Sequence, residues 1–452
     1  MQSIPAGGAP LCARRARNLR RLYLEYRTGH PDRRGNMETM RVLYHHRTQG
    51  RDVEAIHIHG FCAGMRQLGY DVEIVGPPGV QTNPNAVAAS AGKRRTLWGW
   101  VARHAPQLLF EFLEIGYNAV AVARLWRRCR ASSPALIYER YALYNAAAVL
   151  VGRLARTPVV LEVNETAGVD RLRHGKTLVM PGLARRFERL ILRRASGIVV
   201  VSGYLRDQIL ALGIPSERVV VTPNAVDVGR FDPEKADSAS IRARYGLEGK
   251  TIIGFAGSFA RWHRVDLLLR ACGRLMPEHK DIAILLVGDG ARRSEAEALA
   301  QDLGIADRVV FTGKIAHSDI PAYIGAMDIG VMPESNLFGS PMKVFEYMAM
   351  GRPPVAPAYG PLQEAICEGQ DGLLFQPGDE AGLARCLRDL VADPERRRAL
   401  GAAARRKVLS CHQWVHNAQA VLELIAQEPP MKRPRLADDA VRSGQAQSGR
   451  RI

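Results

Sequence analysis

Short apolar runs alternate with helical stretches along most of this chain, and this alternation constrains its fold most strongly. The alternation begins with the apolar run 40–46 (MRVLYHH), the helical stretch 53–69 and the apolar run 70–79. A strand–helix–strand opening of this kind predicts a parallel sheet with helices on its faces. Further strands of the same series are predicted at 135–140, 157–164 and 196–203.

A second series of the same type follows a polar stretch near 232–250. Its helices are predicted at 265–276 and 294–304, and its strands at 251–257, 282–290, 308–314, 328–333 and 353–357. The chain is therefore predicted to be of the α/β class, with two Rossmann-like domains facing each other across a cleft. Its length of 452 residues agrees, because a single hydrophobic core rarely serves so long a chain.

The two ends of the chain differ in composition from its body. Residues 1–36 carry +6 of the net charge of +18 and residues 430–452 carry +4, and neither segment shows a clear apolar period. We expect both to be disordered basic segments. The predicted divisions are a basic extension, an N-terminal domain, a C-terminal domain, a C-terminal helix and a basic tail, at 1–36, 37–215, 216–410, 411–429 and 430–452.

The positive charge that remains in the body suits anionic partners. Anionic small molecules and an anionic membrane surface both fit, whereas the lack of a helix-turn-helix pattern or a basic stacking surface argues against nucleic acid. The seven cysteines form no C-x-x-C pair, so a disulfide framework and a zinc site are disfavoured and a reducing, cytoplasmic environment is expected. No uncharged apolar stretch reaches the roughly 18 residues of a spanning helix.

Ligands of open parallel sheets bind beyond the carboxyl ends of the strands, so the turns there are candidate sites. Three such turns in the second series contain glycine, at 257–263 (GSFARWH), 288–290 (GDG) and 311–315 (FTGKI). Glycine lets a ligand approach the main chain, and Arg261 and His263 are possible donors to phosphate oxygens. Each turn alone is also compatible with an ordinary solvated loop.

The stretch 338–351 (FGSPMKVFEYMAMG) predicts a capped helix. Ser340 is a good N-cap, Pro341 a good first helical residue and Gly351 a good residue just beyond the end.

The free N–H groups at the start of this helix and the ammonium of Lys343 predict an anion site. Glu346 lies on the same helix, where its carboxylate can accept both hydroxyls of a ribose. The alternative is a capped surface helix with an exposed glutamate.

Taken together and in this order, these features resemble the family-four retaining glycosyltransferases of the GT-B fold. The resemblance covers about residues 40–428, and its motifs lie at 45–50, 138–141, 161–164, 222–227, 257–263, 287–290, 311–313 and 340–356. It implies that the first domain receives the acceptor and the second binds a nucleotide-diphosphate sugar. It also implies that the C-terminal helix packs back on the first domain.

The resemblance implies sugar transfer with retention at the anomeric carbon, in which cations and helix-end amides stabilise the departing diphosphate. The catalytic residues it implies are Arg261, His263, Lys343 and Glu346. The donor-binding residues it implies are Gly257, Ser258, Gly288, Asp289, Gly290, Gly313, Lys314, Gly339, Ser340, Pro341 and Met342. No metal and no other cofactor is expected, because no D-x-D motif occurs in a suitable context.

The acceptor is expected at the carboxyl end of the first sheet, beside Gly50, Glu139, Arg140 and Asn164. We expect a lipid-linked or polysaccharide acceptor of envelope or exopolysaccharide synthesis. A peripheral position on the inner face of the cytoplasmic membrane follows if the basic stretches 97–130 and 184–194 bind anionic lipid. Core-packed helices with solvated faces are the alternative.

Several positions depart from the family pattern. The first of the family's paired carboxylates falls on Phe338, so Glu346 alone remains. The family's phosphate-binding arginine and lysine fall on Ser258 and His263, and the position nearest its first-domain histidine is Arg140.

Two other functions fit the same features. A nucleotide-sugar 2-epimerase shares the architecture, although the acid and base residues it needs are not identifiable in the sequence. A non-catalytic nucleotide-sugar-binding protein is the other, because the carboxylate at position 338 is missing. Incubation with donor alone separates the enzymes, since isomerisation indicates the epimerase and slow hydrolysis the transferase.

Overall fold

The computed structural model describes residues 40–48, 52–78, 80, 106–167 and 178–427. The predicted extension 1–36, the predicted tail 430–452 and Gly50 lie outside these residues. The described residues form two six-stranded parallel sheets. Helices cover both faces of each sheet, which confirms the predicted pair of Rossmann-like domains.

Aliphatic residues predominate in the strands of the first sheet, because a strand that is covered on both faces is largely apolar. Its strands are β1 (Arg41–His45), β2 (Asp71–Val75), β3 (Leu136–Arg140), β4 (Val159–Val163), β5 (Gly197–Val200) and β6 (Val219–Val221). They lie in the order β2-β1-β3-β4-β5-β6. The helices of this half are α1 (Asp52–Gln67), α2 (Gln107–Ser132), α3 (Ala147–Ala155), α4 (Pro181–Arg194) and α5 (Gly203–Ala211).

The second sheet has the order β12-β11-β10-β7-β8-β9. Its strands are β7 (Thr251–Ala256), β8 (Ile282–Val287), β9 (Val309–Phe311), β10 (Ile329–Val331), β11 (Pro354–Pro357) and β12 (Leu373–Phe375). Its helices are α6 (Ser238–Arg244), α7 (Val265–Leu275), α8 (Arg293–Asp302), α9 (Ile320–Ala326), α10 (Met342–Ala349), α11 (Gly360–Ala365), α12 (Glu380–Ala392) and α13 (Pro394–Cys411). One-turn 3₁₀ helices lie at Ser216–Arg218, Arg261–His263 and Ala306–Arg308.

The last helix, α14 (Trp414–Ala426), packs back on the first domain as predicted. The indole of Trp414 contacts α1 so closely that a Cβ on Gly60 would come within 2.3 Å of it. The ring of His57 meets the same indole edge-on, with 4.9 Å between the ring centroids. The first sheet is therefore covered by α1 and α14 on one face and by α2 to α5 on the other.

The boundary predicted between residues 215 and 216 is wrong by several residues. β6 (Val219–Val221) pairs in parallel with β5, so the first domain extends at least to Val221. The apolar pattern did not single out the three-residue edge strands β6 and β12, although it did indicate β9 and β10, which are equally short.

Two segments cross between the domains side by side. Residues 222–227 lead out of the first sheet, and residues 412–417 lead back to α14. Val226 bridges to Gln413, and the amide of Asn417 donates to the carbonyl of Pro223 at 2.9 Å. This junction positions the start of α10 against the first domain.

Candidate active site

The predicted capped helix is α10, which begins at Met342 rather than at Pro341. Pro341 occupies the N-cap position, and Ser340 does not cap the helix. The hydroxyl of Ser340 instead accepts the main-chain N–H of Asn224 at 2.9 Å, and its carbonyl accepts the Asn224 side-chain amide. Ser340 therefore ties the start of α10 to the segment that crosses between the domains.

The predicted end of α10 agrees with the structure. Gly351 has a φ of +67°, a backbone conformation that favours glycine. Its N–H donates to the carbonyl of Met348 at 3.0 Å, and the N–H of Arg352 donates to that of Tyr347 at 2.9 Å. These two bonds form a Schellman C-terminus.

The predicted role of the Gly339 amide as a phosphate donor conflicts with the structure. The side-chain oxygen of Asn336 accepts the N–H groups of both Phe338 and Gly339. In the nucleotide-free protein, the main-chain donors at this point are therefore those of Met342 and Lys343, in the first turn of α10.

Lys343 projects from the first turn of α10 into a niche at the carboxyl end of β7. Its Nζ lies 4.4 Å from the centroid of the Phe255 ring and 3.2 Å from Nε2 of His263. A Cβ on Gly257 would come within 2.6 Å of the same nitrogen. Gly257 is thus the residue that leaves room for the ammonium, and any side chain there would displace it.

His263 holds Lys343 in place and carries no charge. Its Nδ1 lies 2.6 Å from the carbonyl oxygen of Ser258, which can only accept, so Nδ1 bears the proton. Nε2 is then the acceptor for the Lys343 ammonium. Burial, together with the charge of Lys343, lowers the pKa of His263 to about 3. The prediction that His263 supplies a cation is therefore wrong for this state, because it acts as a neutral acceptor.

Glu346 lies one turn after Lys343 and is 9% exposed. Burial raises the pKa of Glu346 to about 7, although Lys343 and Arg230 oppose the change. Burial also lowers the pKa of Lys343 to about 7, and Glu346 opposes that change. The charged forms of Lys343 and Glu346 are therefore only weakly stabilised. A diphosphate beside Lys343 and hydroxyl donors beside Glu346 would stabilise the two charges that burial disfavours.

Arg230 was not predicted to belong to the site. It follows the crossing segment 222–227 and contributes positive charge at Glu346. One of its guanidinium nitrogens donates to the carbonyl of His317. No motif indicated Arg230, because it lies more than a hundred residues before Glu346 in the chain.

The glycine turns that follow β7, β8 and β9 lie together. The N–H of Gly257 donates to Val287 at 2.9 Å, and the N–H of Gly288 donates to the carbonyl of Gly313 at 3.1 Å. Gly288 has a φ of +133°, and a Cβ there would come within 2.0 Å of the Gly257 carbonyl. This compact surface lies next to Lys343.

Other predicted donor-side residues lie around this surface. The carboxylate of Asp289 accepts the N–H of Gly290 at 2.8 Å, so it is used in its own turn. The side chains of Arg261 and Lys314 are exposed. The structure does not join either of them to the Lys343 niche by a hydrogen bond.

On the first domain, Glu139, the residue before the end of β3, lies opposite His45 of β1 and is fully buried. Its carboxylate contacts Nδ1 of His45 and accepts the side-chain amide of Asn145 at 3.3 Å. Glu139 is therefore held between these two residues rather than presented to solvent.

Arg140 and Asn164 converge on a carboxylate that the motifs did not single out, that of Glu162. Arg140 donates to it at 2.7 Å and Asn164 at 2.5 Å, and the hydroxyl of Tyr138 at 3.1 Å. Burial raises the pKa of Glu162, but His57 and Arg140, with these hydrogen bonds, hold it below its ordinary value. Glu162 lies within the motif 161–164 and is a single acidic residue inside the apolar run VVLEV, but no role was assigned to it from the sequence.

The two halves of the site meet at the start of α10. Met342 packs in one apolar cluster with Tyr44, Tyr138 and Trp414 of the first-domain side. The hydroxyls of Tyr44 and Tyr138 both donate to Glu162. The donor-side helix therefore begins directly against the layer that carries the predicted acceptor-side residues.

Phe338, at the position of the family's first carboxylate, faces the first domain. Its ring packs against the first-domain core, and its carbonyl accepts the hydroxyl of Ser202 at 2.7 Å. Beside it, both carboxylate oxygens of Glu364 accept the N–H of Gly203, at 3.0 and 3.1 Å. The Phe338 contact joins the loop before α10 to the start of α5, and the Glu364 contacts join α11 to the same point.

We expect Phe338→Glu, which restores the family's carboxylate, to lower kcat/KM. The change removes apolar packing of about 1 kcal/mol between the loop before α10 and the first-domain core, equivalent to about a fivefold weakening of that contact. Steady-state kinetics check this, with Phe338→Leu as the matched control that keeps most of the packing. Higher activity in Phe338→Glu would contradict this role of the ring.

Comparison with known proteins agrees with this geometry in both halves. The family model "Glycosyl transferase 4-like domain" matches residues 54–225, and "Glycosyl transferases group 1" matches residues 237–407. The D-inositol 3-phosphate glycosyltransferase of Streptomyces avermitilis is 31% identical over 320 residues, which are 67% of this chain and 67% of that protein.

A second relative is the 2-deoxystreptamine glucosyltransferase of Streptomyces kanamyceticus, 34% identical over 231 residues. This match covers 50% of this chain and spans only 57% of the relative's length. Among solved structures, HepE of Anabaena in complex with UDP superimposes with a TM-score of 0.65 at 17% identity. That superposition covers 86% of this chain and 100% of HepE, and it supports the fold alone.

The two facing Rossmann-like domains and the donor-side helix define a protein of the GT-B class. Within that class, the chain belongs to the group 1, family-four-like glycosyltransferases.

Proposed function

We propose that this protein transfers a sugar from a nucleotide-diphosphate sugar to a lipid-linked or polysaccharide acceptor, with retention of the anomeric configuration. The observation that carries the proposal is the pair Lys343 and Glu346, which lie one turn apart at the start of α10, the first half-buried and the second buried. Each is disfavoured by burial in its charged form, and the diphosphate and ribose of a nucleotide would each supply the missing partner.

In the proposed reaction, the bond between the anomeric carbon and the diphosphate oxygen breaks, and its electron pair stays on the diphosphate. Lys343 and the N–H groups of the first turn of α10 stabilise this developing charge. The acceptor oxygen bonds to the anomeric carbon from the same face. Its proton passes to the departing phosphate oxygen, so the protein need supply no nucleophile.

His263 has a positioning role in this proposal. It accepts from the Lys343 ammonium, while its other nitrogen is fixed by the Ser258 carbonyl. Lys343 is thereby already oriented when the donor arrives. Arg261, which is exposed, is proposed to close over the diphosphate from the solvent side.

The proposed acceptor binds at the junction of the two domains, on the first-domain side. Glu139, Arg140 and Asn164 shape this surface through the buried carboxylates of Glu139 and Glu162. A lipid-linked acceptor would place the reaction at the inner face of the cytoplasmic membrane.

The proposal is tested by incubating the protein with UDP-, GDP- and ADP-sugars and a panel of acceptors, followed by NMR of the product. We expect transfer from one donor class, with the donor's anomeric configuration kept. An inverted product would contradict retention. Isomerisation of the donor without acceptor would identify an epimerase, and binding with no turnover a non-catalytic binding protein.

We expect Glu346→Gln to reduce kcat/KM roughly 10- to 150-fold, because a hydrogen bond to a charged group is worth about 1.5–3 kcal/mol. The melting temperature of the nucleotide-free protein should barely change, since the variant removes a carboxylate that burial already disfavours. Donor kinetics and a thermal melt check both points. Wild-type kinetics in Glu346→Gln would show that Glu346 does not bind the ribose.

The pH dependence of donor affinity gives the same assignment a second readout. Below about pH 7 Glu346 gains a proton and becomes a weaker hydrogen-bond acceptor, and above about pH 7 Lys343 loses its charge. Wild-type affinity should therefore be highest near neutral pH and fall on both sides. In Glu346→Gln the fall in donor affinity at acid pH should disappear. The fall at alkaline pH should begin at a lower pH, because Glu346 no longer raises the pKa of Lys343.

A further inference from the structure

One face of the first domain exposes an unusual amount of apolar surface. Of the twelve large apolar side chains that are exposed among the described residues, nine lie on α2, α3 or α4 or just before α4. The most exposed are Leu154, at 68%, and Phe112, at 56%. These three helices cover the same side of the first sheet, so their outer surfaces form one face.

The outer side of α2 is apolar over more than four turns. Between residues 107 and 123, the exposed residues are only leucine, phenylalanine, glycine, alanine and valine. A surface helix of a globular protein normally places polar residues on its outer side. Large exposed apolar patches mark interaction sites.

The patch is held in a fixed arrangement by a buried carboxylate. Glu111 of α2 is fully buried and accepts the N–H of Val179 at 2.7 Å, that of Met180 at 3.3 Å and the hydroxyl of Tyr144 at 2.9 Å. These bonds join the first turns of α2 and α4. The apolar surfaces of the two helices are therefore adjacent.

The exposed charge on these three helices is of one sign. Helices α2, α3 and α4 together expose nine arginines, and none of their carboxylates is exposed. On α4, Arg186 and Arg189 flank the exposed Leu190. Apolar side chains with surrounding arginines complement a bilayer that contains anionic lipid.

We propose that the outer face of α2, α3 and α4 docks the protein on an anionic membrane surface. None of the described helices is long and apolar enough to cross a bilayer, so the contact is one of surface binding. The helices start at the carboxyl edge of the sheet, the edge that carries the active site. Docking through the first turns of α2 and α4 brings the acceptor side of the cleft to the lipid headgroups.

The inference deepens the proposed function, because it names the surface that would meet a lipid-linked acceptor. It can fail separately, since vesicle binding is measured without donor or acceptor. The probe is the full chain, sedimented with vesicles of phosphatidylcholine alone or with added phosphatidylglycerol, at low and at high salt. We expect binding to the anionic vesicles that weakens as salt rises.

Two variants locate the contact. Arg186→Gln/Arg189→Gln should weaken binding by about 25-fold, at about fivefold for each arginine. Phe112→Ser should weaken it roughly fivefold to tenfold, by removing an apolar side chain from the interface. The matched controls on α13, Arg398→Gln/Arg406→Gln and Leu409→Ser, should leave binding close to wild type.

Equal binding to neutral and anionic vesicles, or none at low salt, would overturn the proposal. So would an equal loss of binding in the α13 controls, which would show that the attraction is not local to the patch. Sedimentation velocity without vesicles provides the last check. A dimer that Phe112→Ser disrupts, in a protein that does not bind vesicles, would assign the face to a second copy of the chain.

Discussion

Lys343→Ala should lower kcat/KM by roughly 10²- to 10³-fold, the effect of removing one donor from a preorganised anion site. The side chain is placed by Phe255 and His263 before any ligand is present, so its loss removes stabilisation that the rest of the site cannot replace. Steady-state kinetics with the donor measure the effect.

The control for this variant is Lys280→Ala, which removes an exposed lysine just before the amino end of β8. It carries the same change in charge and should stay within about twofold of wild type. Because burial already opposes the charge of Lys343, the melting temperature of Lys343→Ala should not fall appreciably. An unfolded variant, or wild-type kinetics in a folded one, would contradict the assignment.

Arg140→Met should reduce the free energy of unfolding by about 3–5 kcal/mol, because it leaves the buried charge of Glu162 without its cation. Arg140 is only 9% exposed and donates to Glu162 at 2.7 Å. Urea unfolding at neutral pH measures the loss. A change below about 0.5 kcal/mol, the range of ordinary surface substitutions, would show that the pair contributes little.

The double variant Arg140→Met/Glu162→Met is the matched control. It removes both charges, so it should be less destabilised than Arg140→Met alone. The pH dependence has a defined sign. Wild-type Glu162 has a lowered pKa, and its stabilisation is lost as the pH falls through that pKa. In Arg140→Met burial raises the pKa, so the destabilisation should shrink on mild acidification.

The fold was predictable because both sheets are built from long, buried aliphatic runs. The run 40–46 predicted a strand that the structure places at Arg41–His45, and the runs 157–164 and 282–290 likewise contain β4 and β8. The edge strands β6 and β12 were not predicted, whereas β9 and β10, which also have three residues, were. Three residues are too few to show a period, so β6 and β12 are identified only by their sheet partners.

The donor side was predictable where a single stretch of sequence carries it. The start, end and charge pattern of 338–351 indicated α10, with Lys343 and Glu346 on it. The cap was assigned wrongly because Ser340 is engaged by Asn224, more than a hundred residues earlier. The neutral state of His263 was also not predictable from the sequence, because it depends on burial and on Lys343, eighty residues away.

On the acceptor side, too, some residues were predictable from the sequence and their partners were not. Glu139, Arg140 and Asn164 were found at the ends of β3 and β4, where the sheet topology places functional residues. Their partners, His45 and Glu162, were not found. A polar side chain within a buried strand is informative only once its hydrogen-bond partners are known.

The central claim is that the start of α10 binds the diphosphate of a nucleotide through Lys343. Calorimetric titration of UDP, GDP and ADP into the wild-type protein, Lys343→Ala and Lys280→Ala tests it most directly. We expect one of these nucleotides to bind the wild type and Lys280→Ala alike and to bind Lys343→Ala far more weakly, with a larger difference at low salt than at high salt. Binding to Lys343→Ala as tight as to the wild type, or binding of none of the three nucleotides, would contradict the claim.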